Sequence, residues 1–280
     1  MYTTIISTQD LAQISAKENL VIVDCRFELA KPELGFQQYQ VSHIPGAVYA
    51  HLYQDLSSKP TPQTGRHPLP DPEEMVKRFS TWGIDDSIQV VVYDTAGGSM
   101  AARLWGLLKY FGFDNTAVLD GSFSKWTGEN RPLESGIHTN QPATFKPKMR
   151  VDFIVSWEDV DRYRNDPSWK LVDARSEVRF RGEEELIDPI AGHIPGAVNR
   201  FHGLNLTPDG VFKPAGQLRS EFLELLGSIP PERTIVYCGS GVTSIHHLVA
   251  MEYAGLPGAR LYVGSWSEWI RDPSRPIATK

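Results

Sequence analysis

Cysteine is almost absent from this chain. Among 280 residues only Cys25 and Cys238 are present, which excludes a disulfide-stapled scaffold and leaves too few thiolates for a cysteine-based zinc site. Any cysteine chemistry must therefore rest on a single thiol. No stretch reaches the ~18 consecutive apolar residues of a membrane span. The opening MYTTIISTQDL also lacks a basic segment followed by an apolar run. The expectation is a soluble, cytoplasmic protein with no membrane partner. Excess basic charge is missing as well: 28 Lys+Arg against 34 Asp+Glu give a formal net charge of −6, which offers no electrostatic basis for binding nucleic acid. What remains is a globular composition, 41% hydrophobic and 22% charged, sufficient for a packed core. At roughly 100–200 residues per domain, the length suits two domains.

An internal repeat sets the architecture. SHIPGAV at 42–48 returns as GHIPGAV at 192–198, and VIVDCR at 21–26 returns as KLVDAR at 170–175. In the same order, VVYD at 91–94 matches IVYC at 235–238, and DGSFSKW at 120–126 matches VGSWSEW at 263–269. The offset is 150 residues at His43/His193 and 144 at Asp94/Cys238. The first copy thus carries about six extra residues, placed in the Pro-rich stretch SSKPTPQTGRHPLP. Residues 134–150, polar and without apolar periodicity, read as a linker. This gives domains over 1–133 and 151–280. Short β-branched runs at 20–24, 89–93, 116–119, 171–173, 234–237 and 260–263 read as strands. Helical patterns at 72–82, 99–111, 217–227 and 243–254 alternate with them. The predicted class is α/β, with two tandem domains, each a mainly parallel central sheet flanked by helices.

In such sheets ligands bind beyond the carboxyl ends of strands, and Cys238 stands at one of those ends. The loop CGSGVT that follows it leads into a helix. Two glycines let backbone amides turn inward, and the helix N-terminus adds partial positive charge, so Gly239, Ser240, Gly241, Val242 and Thr243 can cradle an anion. The same setting lowers a thiol pKa from ~8.5 toward 3.5–7.5, favouring a nucleophilic Cys238 over an inert buried one. A phosphatase-type site would need arginine six positions after the cysteine, and that residue is Ser244. Transfer of a neutral sulfur atom suits the loop better. Cys25 aligns with Ala174 and reads as a small core hydrophobe. His246 and His247 read as packed or exposed helix residues, and no spacing of His, Cys, Asp or Glu demands a metal.

These motifs together resemble the rhodanese superfamily of two-domain sulfurtransferases over essentially the whole chain, with CGSGVT closest to its 3-mercaptopyruvate sulfurtransferase branch. The resemblance implies two rhodanese-like domains, a persulfide formed on Cys238, no cofactor, and an inactive first domain. Asp94 stands where Cys238 stands in the second copy and cannot carry sulfur; it reads as a solvent-facing polar group or a loop hydrogen bond. The uncharged loop favours a donor whose anionic group binds away from the sulfur, such as 3-mercaptopyruvate. By the family's DAR…RF pattern, Arg175 and Arg179 would hold its carboxylate and keto groups, while Arg181 pairs with neighbouring glutamates. Ser240 would bond the sulfur or relay a proton. The branch also implies a Ser-His-Asp arrangement whose histidine comes from the first HIPGA block, His43. His43 can equally be a structural residue of that turn, as His193 is read to be, and residues 27–42 offer Glu28 and Glu33 but no aspartate. The expected partners are a small sulfur donor and an acceptor, either cyanide, a thiol or reduced thioredoxin. Thiosulfate as donor, or a non-catalytic persulfide carrier, are the competing readings.

Overall fold

The computed structural model describes residues 1–15 and 17–280, and they form two compact units. The first comprises Met1–Ser58, Leu69–Arg150 and Leu206–Phe212; the second comprises Lys59–Pro68, Val151–Asn205 and Lys213–Lys280. In the first, strands β1 (Ile5–Ser7), β2 (Leu20–Asp24), β3 (Ala47–Tyr49), β4 (Gln89–Tyr93) and β5 (Thr116–Asp120) form a sheet of order β1-β5-β4-β2-β3. In the second, β6 (Ile154–Val155), β7 (Lys170–Asp173), β8 (Val198–Asn199), β9 (Thr234–Tyr237) and β10 (Arg260–Tyr262) repeat that order as β6-β10-β9-β7-β8. The described strand pairs are all parallel.

The central strands explain themselves. QVVVY of β4 and TIVY of β9 are buried along their whole length, as a parallel strand covered on both faces requires. The helix Ile245–Tyr253 is buried from Ile245 to Met251, His246 and His247 included, so it is enclosed all round rather than along one stripe. Pro72–Thr81 starts on an Asp71 cap that accepts from the amides of Glu73 and Glu74, with proline in the first turn. The edge strands β1, β3, β6 and β8, of two or three residues each, are too short to show a period-two pattern, which is why the sequence did not reveal them.

The four repeated motifs meet in one buried network in each unit. In the first, Arg26 grips the Asp24 carboxylate through Nε (2.8 Å) and Nη2 (2.6 Å) and donates to Ser42 O at 2.7 Å. The Tyr93 hydroxyl donates to Asp24 (2.8 Å) and accepts from the Ile44 amide (3.2 Å), while Phe123 lies under the guanidinium at 4.3 Å. In the second, Arg175 bonds Asp173 (2.7 Å) and Gly192 O (2.6 Å), Tyr237 accepts from Ile194 N (3.2 Å), and Trp266 lies beneath at 5.0 Å. One ion pair therefore ties a strand end to the HIPGA turn in both copies.

Three segments depart from the expected boundaries. Residues 134–150 belong to the first unit rather than forming a free linker: Glu134 and His43 exchange backbone hydrogen bonds (2.8 and 2.9 Å), Lys148 N donates to Phe111 O (2.8 Å), and Phe145 is buried against Phe79 at 4.9 Å. Leu206–Phe212 also sits in the first unit, with Phe212 N donating to Asp120 (2.7 Å). The Pro-rich insertion Lys59–Pro68 folds into the second. No helix among the described residues is long and apolar enough to cross a membrane.

Because Asp24 and Arg26 are both buried, Arg26→Ala leaves a carboxylate without its cation. Its expected cost is about 3–5 kcal/mol of stability, read from the urea unfolding midpoint. Arg181→Ala, which removes only an exposed partner of Glu177, is expected to leave that midpoint near wild type.

Candidate active site

Cys238 follows β9 directly and is buried. Its backbone is fixed by the segment after β10: Cys238 N donates to Ser265 Oγ (3.1 Å), Trp266 N to Cys238 O (3.0 Å), and Ser267 N to Gly239 O (2.9 Å). Ser265 holds a left-handed backbone, φ 55°, to make this turn, so GSWSEW at 264–269 fixes the Cys238 backbone as well as burying Trp266 and Trp269. Gly241 is required twice over, by its φ of +72° and because a side chain there would collide with Val263 O. Burial pushes the Cys238 thiol up, yet the Thr243 hydroxyl, the Ser240 amide, and the Ser244 hydroxyl and amide together bring it down to about 7. Apart from that pull on the sulfur, the buried Ser244 Oγ makes no hydrogen bond. The loop thus holds a thiolate near neutral pH, as a nucleophile requires. Cys25 is its opposite: burial and then the charges of Asp24, Asp94 and Asp55 push it well up.

The first copy builds the same cradle and fills it. The Asp94 carboxylate is buried and accepts from the amides of Ala96 (2.8 Å), Gly98 (2.9 Å), Met100 (2.7 Å) and Ala101 (2.9 Å). It is not a solvent-facing group. The inward-turned amides belong to the fold, and the first copy supplies its own anion.

The histidine on Ser240 is His67. Its Nδ1 lies 2.7 Å from Ser240 Oγ, and the ring is buried. The insertion Lys59–Pro68 delivers it. There Arg66 N donates to Ser267 Oγ (3.0 Å), Arg271 Nε to Thr64 O (3.3 Å), and any side chain at Gly65 would strike Gly264 O. His43 has no such place. It stacks on Tyr39 at 4.2 Å, its Nδ1 lies 2.8 Å from Tyr39 O, and Glu134 is its charged neighbour. It holds its turn as His193 does, which stacks on Phe180 with Nδ1 2.7 Å from Phe180 O.

The arginines divide differently from expectation. Arg175 is almost wholly enclosed, and its donors go to Asp173, Gly192 O and Glu185 (3.4 Å). Arg26 does the same beside the filled cradle, so Arg175 belongs to the fold's staple rather than to a ligand. Arg179 bonds Glu185 (2.8 and 3.0 Å) and Asp188 (3.1 Å) and remains partly open. Arg66, from the insertion, pairs with Asp188 from the other side. Measured from where a side chain on Gly239 would begin, Arg66 Nη2 is 2.9 Å away and Arg179 Nη2 3.6 Å. Two guanidiniums therefore overhang the residue next to Cys238. Arg181 is exposed on Glu177. His246 and His247 are buried around Asn205, at 2.9 and 3.1 Å. Among the described residues no three of His, Cys, Asp or Glu gather in a way that could hold a metal ion.

Sequence reasoning missed Arg66, His67, Ser244 and Asp188. The signal for the first two was present: an Arg-His pair inside the longest insertion that breaks the repeat.

Alkylation of the native protein by iodoacetamide is expected at Cys238 alone, with a rate that rises through a midpoint near pH 7. Thr243→Val removes a charge-assisted hydrogen bond and should move that midpoint up by about one pH unit. Mass analysis of the labelled peptides checks both.

Known proteins match the chain along nearly its whole length. A family model described as the rhodanese-like domain matches twice, over residues 7–129 and 156–272. The chain is 43% identical to a "probable 3-mercaptopyruvate sulfurtransferase" of Pseudomonas aeruginosa, covering 98% of both chains. It is 32% identical to human 3-mercaptopyruvate sulfurtransferase, over 91% of this chain and 86% of that one. The solved 3-mercaptopyruvate sulfurtransferase from Leishmania major superposes with a TM-score of 0.84 at 28% identity, over 95% of this chain and 74% of that one. The chain belongs to the rhodanese family and carries two rhodanese-like domains, with Cys238 in the second.

Proposed function

We propose that the protein is a sulfurtransferase that takes sulfur from 3-mercaptopyruvate onto Cys238 and passes it to a thiophilic acceptor. The observation that carries this reading is the convergence, on one loop, of a stabilised thiolate, two overhanging arginines and a histidine-backed serine. The Cys238 thiolate attacks the donor sulfur, the carbon–sulfur bond breaks, and its electron pair leaves on the carbon as the enolate of pyruvate. The thiol proton of the donor ends on the pyruvate methyl group, leaving a persulfide anion on Cys238. Arg66 and Arg179 would bind the carboxylate, for which planar forked donors are suited. Gly239, Gly241, Val242 and Thr243 shape the cradle that stabilises charge on sulfur in both half-reactions.

Ser240 and His67 favour this donor over thiosulfate. A hydroxyl backed by imidazole can donate to a keto oxygen as it becomes an enolate and can move a proton there. Thiosulfate offers no carbonyl to serve. The acceptor in this reading is cyanide, a small thiol or reduced thioredoxin. A cytoplasmic setting, where thiols stay reduced, suits a chain whose two cysteines are both free.

Steady-state rates with cyanide as acceptor test the assignment. Cys238→Ser is expected to abolish turnover. Arg66→Ala and Arg179→Ala each remove charge-assisted hydrogen bonds worth roughly 1.5–3 kcal/mol, so kcat/KM for 3-mercaptopyruvate should fall about 10- to 150-fold. His67→Ala should lower turnover of 3-mercaptopyruvate more than that of thiosulfate. Equal losses with both donors would contradict the carbonyl role.

A further inference from the structure

Segment 186–190 turns its apolar side chains outward and one acid inward. Leu186 is 85% exposed and Ile187 49%, while the Asp188 side chain between Ile187 and Pro189 is 2% exposed. Its backbone is fixed, since the amides of Ile187 and Asp188 both donate to Glu185 Oε1 at 3.0 Å. One carboxylate oxygen takes Arg66 Nη1 and the other takes Arg179 Nη2. Asp188 therefore clasps the two guanidiniums that overhang Gly239 and leaves Arg66 Nη2 directed toward the loop.

The charges in this cluster balance. Arg66, Arg175 and Arg179 face Asp173, Glu185 and Asp188 through mutual ion pairs. The two arginines nearest the nucleophile thus present oriented donors with almost no net charge. Coulomb attraction scales with the product of charges, so such a mouth rewards the fit of a carboxylate and gives a dianion little extra.

We propose that Asp188 sets the charge of the donor this site accepts, holding Arg66 and Arg179 as a neutral pair that takes a monoanionic carboxylate and discriminates against the dianion thiosulfate. The proposal rests on the reading of Arg66 and Arg179 as the anion site. Asp188 is a positioning residue, acting through both arginines without touching the donor. Removing its charge makes the mouth more positive by one unit. If the attraction for a monoanion then rises by a given factor, that for a dianion rises by its square.

The test compares kcat/KM for 3-mercaptopyruvate and thiosulfate, with cyanide as acceptor, in wild type and Asp188→Asn. Asparagine keeps an acceptor oxygen and drops the charge. The thiosulfate-to-mercaptopyruvate ratio is expected to rise about tenfold. Inhibition by inorganic sulfate should tighten about tenfold relative to inhibition by pyruvate. Asp188→Glu keeps the charge and should hold the wild-type ratio. If Asp188→Asn does not fold, Asp188→Ser carries the same expectation. A ratio within twofold of wild type, or parallel loss with both donors, would overturn the proposal. Arg66→Ala separates the two claims: if it weakens the donors while Asp188→Asn leaves the ratio unmoved, only the role of Asp188 fails. If Arg66→Ala affects neither donor, the anion site itself is misplaced.

Discussion

The ion pair between an aspartate at a strand end and the arginine two residues later is the contact on which the rest of each unit depends. Asp173 and Arg175 are buried together, and through them β7, the turn at Gly192, Tyr237 at the end of β9 and Trp266 are joined. Tyr237 precedes Cys238, and Trp266 donates its amide to the Cys238 carbonyl. A buried pair of this kind contributes little net stability against well-packed apolar residues, but it is costly to break on one side only. Its value here is geometric: it fixes the register of four chain segments around the position of the sulfur. The same pair, Asp24 and Arg26, organises the first unit, where Asp94 stands at the position of Cys238.

The cradle is equally a property of the fold. In both copies amides beyond the central strand converge on one side chain, the Asp94 carboxyl in the first and the Cys238 sulfur in the second. What distinguishes the second copy is the set of groups around that side chain. Thr243 and Ser244 supply hydroxyls to the sulfur, Arg179 comes from the helix Glu177–Phe180, and the insertion Lys59–Pro68 adds Arg66 and His67. Chemistry has been added to a scaffold that both units share.

The repeat, the parallel sheets and the loop of Cys238 were legible in the sequence because they are local: a β-branched run, glycines and a helix start lie within about twenty residues. Arg175 was misread because an arginine just past a strand end resembles a ligand. Its counterpart Arg26, beside a position that cannot carry sulfur, was the available sign that the residue serves the fold. His67 lies 173 residues before Ser240, and no periodicity links positions so far apart. His43 took its place in the reading because its motif is conspicuous, although its ring stacks on Tyr39 to close a turn. Residues 134–150 read as linker because their composition is polar, yet their backbone groups pair with the first unit.

The proposed double displacement requires sulfur to rest covalently on Cys238 between two half-reactions. Mixing the protein with 3-mercaptopyruvate in the absence of any acceptor tests this most directly. The prediction is a burst of one pyruvate per chain with one sulfur atom added at Cys238, stable until cyanide is supplied and then lost as thiocyanate. Pyruvate released only once an acceptor is present, or sulfur recovered on Cys25, would contradict it.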